Sequence, residues 1–400
     1  MSAGPPERLD ALVVGAGPAG LSAAIVLAEA GCAVLVCERG PLPADKVCGE
    51  GILPETLRCL EALGVRRHLA SMEHRALAGI RLRSPRGHVA EARFAEGEGW
   101  GTTRLALSEA FARRARELPN LWIWDRAPVR LGRRLPHGTE AEARGAALLA
   151  RLVVGADGLA SPTRAWAGIS ERRALPHRFG ARQHFACAPW SDFVEVTVAD
   201  GLEAYVTPSS AGSLNLAFLW DPARWPAEGG EALIPSLLRA FPELAERLRG
   251  ARPLDEARGV GPLHRRVSPV VADGVVLVGD ASGYYDACTG EGLGQAAAQA
   301  LSLAATVAPR LRASPGVPGR RALWPYARAH RRITRPYTRA TRMMMFGQGH
   351  PARSDRVART LARAPEAMQF FLSYVMGRRT GWDALPLLPR WLASTFISGQ

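Results

Sequence analysis

The sequence predicts an α/β protein: a Rossmann-like domain with a mostly antiparallel β-sheet (an α+β part) inserted into it, followed by a helical C-terminal region. Three observations carry that prediction. Glycine-rich turns follow apolar runs at Gly15-Ala16-Gly17-Pro18-Ala19-Gly20, at Gly155-Ala156-Asp157-Gly158 and at Val278-Gly279-Asp280-Ala281-Ser282-Gly283. Between the second and third of these, from about 179 to 261, the pattern changes to short alternating runs, the period of half-buried strands. Beyond residue 310 the chain is Arg-rich, helical in period and punctuated by prolines.

Taken in order, residues 9–14 are a short apolar run, 20–30 are Ala/Leu-rich and 33–37 are apolar again, so the chain opens strand, helix, strand. A Gly/Pro-rich loop covers 40–54, and Pro54 suits the first turn of a helix running to 63. Residues 78–94 alternate around Ser84-Pro85-Arg86-Gly87, a hairpin pattern. Helical periodicity covers 105–118, and 148–154 is a buried strand delivering the second glycine motif. Alternating runs at 182–187, 193–198, 203–206 and 214–220 form the inserted sheet, with helical segments near 231–249. A buried strand at 274–278 delivers the third motif, and 292–307 reads as a helix. The expected division assigns 1–75, 101–178 and 266–310 to the dinucleotide-binding domain, 76–100 to a hairpin of the inserted sheet and 179–265 to the sheet itself. Residues 311–400 form the helical region.

The net charge of +14 comes almost wholly from arginine, since Lys46 is the only lysine. That bias has a simple origin in nucleotide composition and says little about partners. No zinc-finger or RNA-binding signature accompanies it, so no nucleic-acid partner is expected. An anionic substrate, a carrier protein or a peripheral anionic membrane surface stays open. The six cysteines have no metal-ligand spacing, so no metal site is expected. The first apolar stretch, 11–37, is broken by glycines, Pro18 and Glu29 and cannot span a membrane. A cytoplasmic monomer or homodimer is the expectation.

Gly15-x-Gly17-x-x-Gly20 sits between a strand and a helix, the context in which glycines give a tight turn, admit pyrophosphate and allow close helix packing. Pro18 and Ala19 open that helix, whose N-terminus meets phosphate charge. Glu38, with Arg39 beside it, ends the next strand, where a carboxylate accepts from adenosine ribose hydroxyls. Asp280 ends a later strand after Gly279 and suits the ribityl hydroxyls of a flavin. Gly290-Glu291-Gly292-Leu293-Gly294 opens a helix able to face the N1–C2=O edge, where reduced flavin collects negative charge. A nicotinamide has no ribityl chain and needs no such third visit. The cofactor read from the motifs is FAD.

On these residues, together with Lys46-Val47-Cys48-Gly49-Glu50 and Arg104, the chain resembles the para-hydroxybenzoate-hydroxylase-type flavoproteins and, within them, the geranylgeranyl-reductase-like branch. The resemblance covers roughly 10–300. It implies that Arg104 contacts the FAD phosphates or ribose, and that the Asp157-Gly158 pair serves both FAD and reduced pyridine nucleotide. It also implies that NAD(P)H reduces the flavin without a second nucleotide-binding domain; a protein donor stays open. Three reactions follow from it. The first is monooxygenation of a hydrophobic, aromatic or polyketide-like secondary metabolite through a flavin C4a-hydroperoxide. The second is saturation of double bonds in a prenyl or other lipophilic substrate, and the third is halogenation. The halogenase string Trp-x-Trp-x-Ile-Pro is absent. The prenyl-reductase string Tyr-x-Trp-x-Phe-Pro survives only as Tyr205-Val206-Thr207-Pro208, which tilts the expectation to oxygenation.

The candidate catalytic residues are therefore Cys48, Glu50, Tyr205, Pro208 and Glu291. Glu50 and Glu291 would serve as bases if burial raises them. Tyr205 reads either as a substrate-pocket residue or as a half-buried strand aromatic, and Pro208 as a neighbour of the flavin ring, while His184 and His264 read as structural first and as catalytic candidates second. Cys48 and Cys288 are expected to converge, as two unrelated thiols or as a redox-sensitive disulfide beside the cofactor. Met343-Met344-Met345-Phe346 and Met368-Gln369-Phe370-Phe371-Leu372 read as packing first and as a wall for a greasy substrate second.

Overall fold

The computed structural model describes residues 4–173, 178–226, 232–348 and 351–378. The start of the helical stretch expected near 231 and the C-terminal stretch 379–400 lie outside the described residues. The first unit is β1 (Arg8–Val14), α1 (Pro18–Glu29), β2 (Val34–Cys37) and α2 (Pro54–Ala62). Next come β3 (Gly79–Arg83), β4 (Val89–Arg93), α3 (Arg104–Arg116), β5 (Leu121–Trp124) and β6 (Ala146–Gly155). Four longer strands follow: β7 (Phe179–Ala186), β8 (Phe193–Ala199), β9 (Leu202–Pro208) and β10 (Ser213–Trp220). The chain then passes through β11 (Val275–Leu277) into α4 (Gly292–Thr306), α5 (Arg320–Gln348), α6 (Pro351–Arg363) and α7 (Pro365–Val375).

The α/β class read from the sequence is the class of the structure. Its first sheet has the parallel order β11, β6, β1, β2, β5. Each of these strands is nearly continuously apolar, as strands covered on both faces must be. α1 is buried from Gly20 to Ala28 because the sheet lies on one side and α3 and α4 on the other. Its alanines let those helices approach, and Leu21, Ile25, Leu57, Phe111 and Leu303 fill the core between them.

The second sheet runs β7, β10, β9, β8, β3, β4, antiparallel except where β8 joins β3 in parallel. The hairpin β3–β4 therefore extends the later strands, although about a hundred residues separate them in the chain. Side chains alternate along β9. Leu202, Ala204 and Val206 enter a core with Leu216, Ile234, Leu237 and Phe241, which leaves Glu203, Tyr205 and Thr207 on the other face. The C-terminal helices are docked rather than appended. The Tyr326 hydroxyl of α5 donates to the Leu277 carbonyl at 2.8 Å. Met368 and Leu372 of α7 pack with Ala90 of β4, with Phe94 just beyond that strand and with Leu77. Among the described residues, no helix is long and apolar enough to cross a membrane.

Candidate active site

A cavity of about 980 Å³ lies where the three glycine motifs meet the second sheet. Gly17, Pro18, Ala19, Gly158, Gly279 and Asp280 line one part, joined by Lys46, Cys48 and Gly49 and by Gly290, Gly292 and Leu293. The rest is mostly apolar: Val194, Val196 and Leu219 from the sheet, with Met344, Met368 and Phe371 from α5 and α7, and Tyr205 and Thr207 among them. The Met/Phe segments thus pack and line the cavity at once.

The first part fits a dinucleotide on three independent observations. A Cβ on Gly20 would collide with the Gly15 carbonyl, so only glycine lets α1 start this close to the strand it follows. A Cβ on Gly279 would stand 2.5 Å from the Ala19 side chain, so the third motif is seated directly on the first. Most telling is Arg104 at the start of α3. Its guanidinium is buried, its Nη1 has no hydrogen-bond partner, and its Nη2 lies 3.9 Å from where a Gly17 Cβ would be. Burial depresses its pKa, against Cys48, Asp280, Asp45 and Glu50. A buried cation with an unused donor beside a glycine turn and an uncapped helix N-terminus suits a phosphate.

Asp280 is open to the cavity yet surrounded by protein. Burial raises its pKa, and Lys46 and Arg104 oppose that. Glu38 is buried at the end of β2, where its Oε2 accepts from the Ala16 amide at 2.8 Å and its Oε1 from the Gly40 amide at 3.2 Å. These bonds hold the carboxylate against the first motif; neither Glu38 nor the exposed Arg39 is among the residues lining the cavity.

Several site residues chosen from the sequence stand elsewhere than expected. Asp157 turns from the cavity to accept from the Thr163 amide at 2.8 Å and from the Ser161 hydroxyl, so it caps the turn after β6; Gly158 takes the cavity position. Glu50 lines the cavity, but both its oxygens are committed. Oε1 accepts from the Arg104 amide at 2.7 Å and Oε2 contacts His184 Nε2 at 2.7 Å. Its φ of +62° is the left-handed backbone that delivers the carboxylate there, a strained choice costing about 1–3 kcal/mol. Glu50 is therefore a strut for Arg104 rather than a free base.

Glu291 faces away from the cavity toward Thr56 and Gly294, between α4 and α2. Burial, helped by Glu55, pushes its carboxyl up to about 8, and Oε1 has no partner. Pro208 is buried against Gly101 and does not line the cavity; by alternation Thr207 does. Cys48 and Cys288 both line the cavity and are free thiols, not a disulfide. Cys48 Sγ accepts from the Glu50 amide at 3.4 Å, while Cys288 packs with Leu219 and Leu263. Burial raises the pKa of both thiols.

Two polar clusters escaped sequence reasoning. Arg182, fully buried, binds Asp45 at 2.5 Å and also Asp255, and the Asn215 side-chain amide donates to the Cys48 carbonyl at 3.0 Å. The second sheet thereby clamps the loop that carries Lys46, Cys48 and Gly49. The other cluster is Arg178, Glu203 and Asp286 behind Tyr205. Glu203 was legible from strand alternation, being two residues from Tyr205; Arg178 and Asp286 carried no local signal.

Comparison with known proteins agrees with this geometry. The family described as "FAD binding domain" matches residues 8–318. A digeranylgeranylglycerophospholipid reductase of Methanopyrus kandleri is 30% identical over 305 residues, 72% of this chain and 77% of the relative. A menaquinone reductase of Mycobacterium tuberculosis is 28% identical over 306 residues, 72% of this chain and 73% of its own length. Among solved structures, a flavoprotein/dehydrogenase from Cytophaga hutchinsonii is similar in fold, with a TM-score of 0.80 at 18% identity over 98% of this chain and 97% of that one.

Proposed function

The chain belongs to the FAD binding domain family, and from that premise we propose that it is an FAD-dependent reductase that saturates carbon–carbon double bonds of a lipophilic, prenyl-type substrate. The observation that carries this reading is the apolar remainder of the cavity, continuous with the glycine-motif part. It offers a greasy chain a dry surface, and both carboxylates chosen as bases are withdrawn from it, Glu50 by its bonds and Glu291 by its direction. Reduction of a double bond needs a proton donor at the substrate, not a base. Tyr205 lines that cavity, with its hydroxyl bonded to Glu203, and is our candidate for the donor. The two reductase relatives, matched over 72% of the chain, support the same choice.

Bound FAD, reduced by NAD(P)H, would supply the electrons and one of the two hydrogens. The chain's own residues do the rest. Arg104, Gly17 and the N-terminus of α1 would hold the pyrophosphate, Glu38 the adenosine ribose and Asp280 the ribityl chain. Val196, Leu219 and Met344 exclude water from the substrate. The altered string at Tyr205-Val206-Thr207-Pro208 supports a second reading, oxygenation of an aromatic or polyketide-like metabolite.

The test is turnover under argon. Purified yellow protein is reduced with NADPH, NADH or dithionite and given digeranylgeranylglycerophospholipid or menaquinone. The reading expects product heavier by two hydrogens per bond saturated. A product carrying an added oxygen atom and formed only in air would overturn it in favour of oxygenation.

A further inference from the structure

Glu203 and Tyr205 share one face of β9. The Tyr205 hydroxyl donates to Glu203 Oε2 at 2.5 Å. Arg178 Nη2 donates to Glu203 Oε1 at 2.7 Å, and its Nη1 to Asp286 Oδ1 at 3.4 Å. The Cys288 amide donates to the same Asp286 oxygen at 3.0 Å, and the Cys288 carbonyl lies 3.5 Å from the Tyr205 hydroxyl. From α5, the Tyr337 hydroxyl donates to the Asp286 carbonyl. Glu203 is 3% exposed, Asp286 1% and Arg178 7%.

Charge balance decides what this cluster holds. One guanidinium faces two carboxylates, so with both ionised the cluster carries a net buried negative charge, which costs several kcal/mol. One added proton makes it neutral. Asp286 already takes two N–H donors, whereas Glu203 takes one and faces a hydroxyl that can accept as readily as donate. An added proton would sit between Glu203 and Tyr205. Burial and Asp286 raise the Glu203 pKa, with Arg178 opposing.

We propose that Glu203, held by Arg178 and Asp286, is a proton store that reloads Tyr205, the proton donor to the substrate. This assignment rests on the reductive reading above. FAD, when bound and reduced, would supply two electrons and a hydrogen to one carbon of the double bond. The other takes the Tyr205 proton, the O–H bond breaking as the C–H bond forms. The phenolate takes the Glu203 proton, and the cluster regains one from solvent. Tyr205 is the catalytic residue, and Glu203 acts through it.

Infrared spectra of the holoenzyme at pH 7 test the store without turnover. They are taken in a Glu291→Gln background because burial also raises the pKa of the Glu291 carboxyl, to about 8. Adding Glu203→Gln is expected to remove a protonated-carboxyl stretch, and adding Tyr205→Phe to shift it by deleting its hydrogen bond. Spectra unchanged in both would overturn the store. In multiple turnover under argon, with excess dithionite and digeranylgeranylglycerophospholipid, Tyr205→Phe is expected to slow saturation about 100-fold. Glu203→Gln should slow it about tenfold and flatten its pH profile. A wild-type rate and profile in Glu203→Gln would overturn the store's role. Loss of the carboxyl band in a protein that oxygenates instead would leave the store standing and remove the reductive reading.

Discussion

The two parts of the cavity are built by opposite means. The cofactor part is made where backbone is bare: Gly17, Gly158, Gly279, Gly290 and Gly292, with one buried, unsatisfied guanidinium at Arg104. The substrate part is made of side-chain volume brought from distant places: Val196 and Tyr205 from strands, Met344 and Phe371 from helices. Recognition by backbone fails when a single methyl is added. Recognition by volume degrades in proportion to the volume changed. The two parts should therefore respond differently to substitution.

The largest effect is expected at Gly20. An alanine there drives its Cβ into the Gly15 carbonyl, and the fold must open β1 from α1 to admit it. Thermal unfolding should show a loss of more than about 3 kcal/mol, together with colourless protein. Val196→Trp tests the other part: by filling the apolar space it should cut turnover at least tenfold while the ratio of FAD to protein stays that of wild type. Equal loss of FAD in that variant would break the distinction.

A third effect concerns pH. Glu291 is pushed up to about 8 by burial and by Glu55, well above its unfolded value. Its stabilising contribution is then complete below the unfolded pKa and is lost as pH rises through about 8. Wild-type protein should lose stability relative to Glu291→Gln between about pH 5 and pH 9, by a few kcal/mol at most. Parallel melting curves across that range would remove Glu291 from the account. The smallest effect is expected of Met344→Ala, a flexible wall residue. KM for a lipophilic substrate should rise about two- to fivefold with kcat nearly unchanged, the signature of lost uniform binding.

The same contrast governs how far the sequence could be read. Strand, glycine turn and helix lie within a few residues of each other at 9–30, 148–158 and 274–294, so local pattern was enough to recover that layer. Carboxylates were harder, because partners distant in the chain decide where they point. Glu50 is claimed by Arg104 and His184, whereas Glu291 turns to α2. Asp157 is held by a nearer partner, its cap on the following turn. Alternation along β9 already distinguishes Thr207 from Pro208 and puts Glu203 beside Tyr205, a signal available but unused. Arg178 and Asp286 reach that point through tertiary contacts alone.

One measurement bears most directly on the central claim that a single cavity holds FAD in its glycine-lined part and substrate in its apolar part. It is an FAD titration of apo-protein, comparing wild type, Arg104→Ala and Val196→Trp by flavin fluorescence quenching. Removing the buried guanidinium should weaken FAD by about 30- to 1000-fold, the cost of losing a buried charged partner, and Val196→Trp should bind FAD within about twofold of wild type. Unchanged affinity in Arg104→Ala, or a matching loss in Val196→Trp, would contradict it.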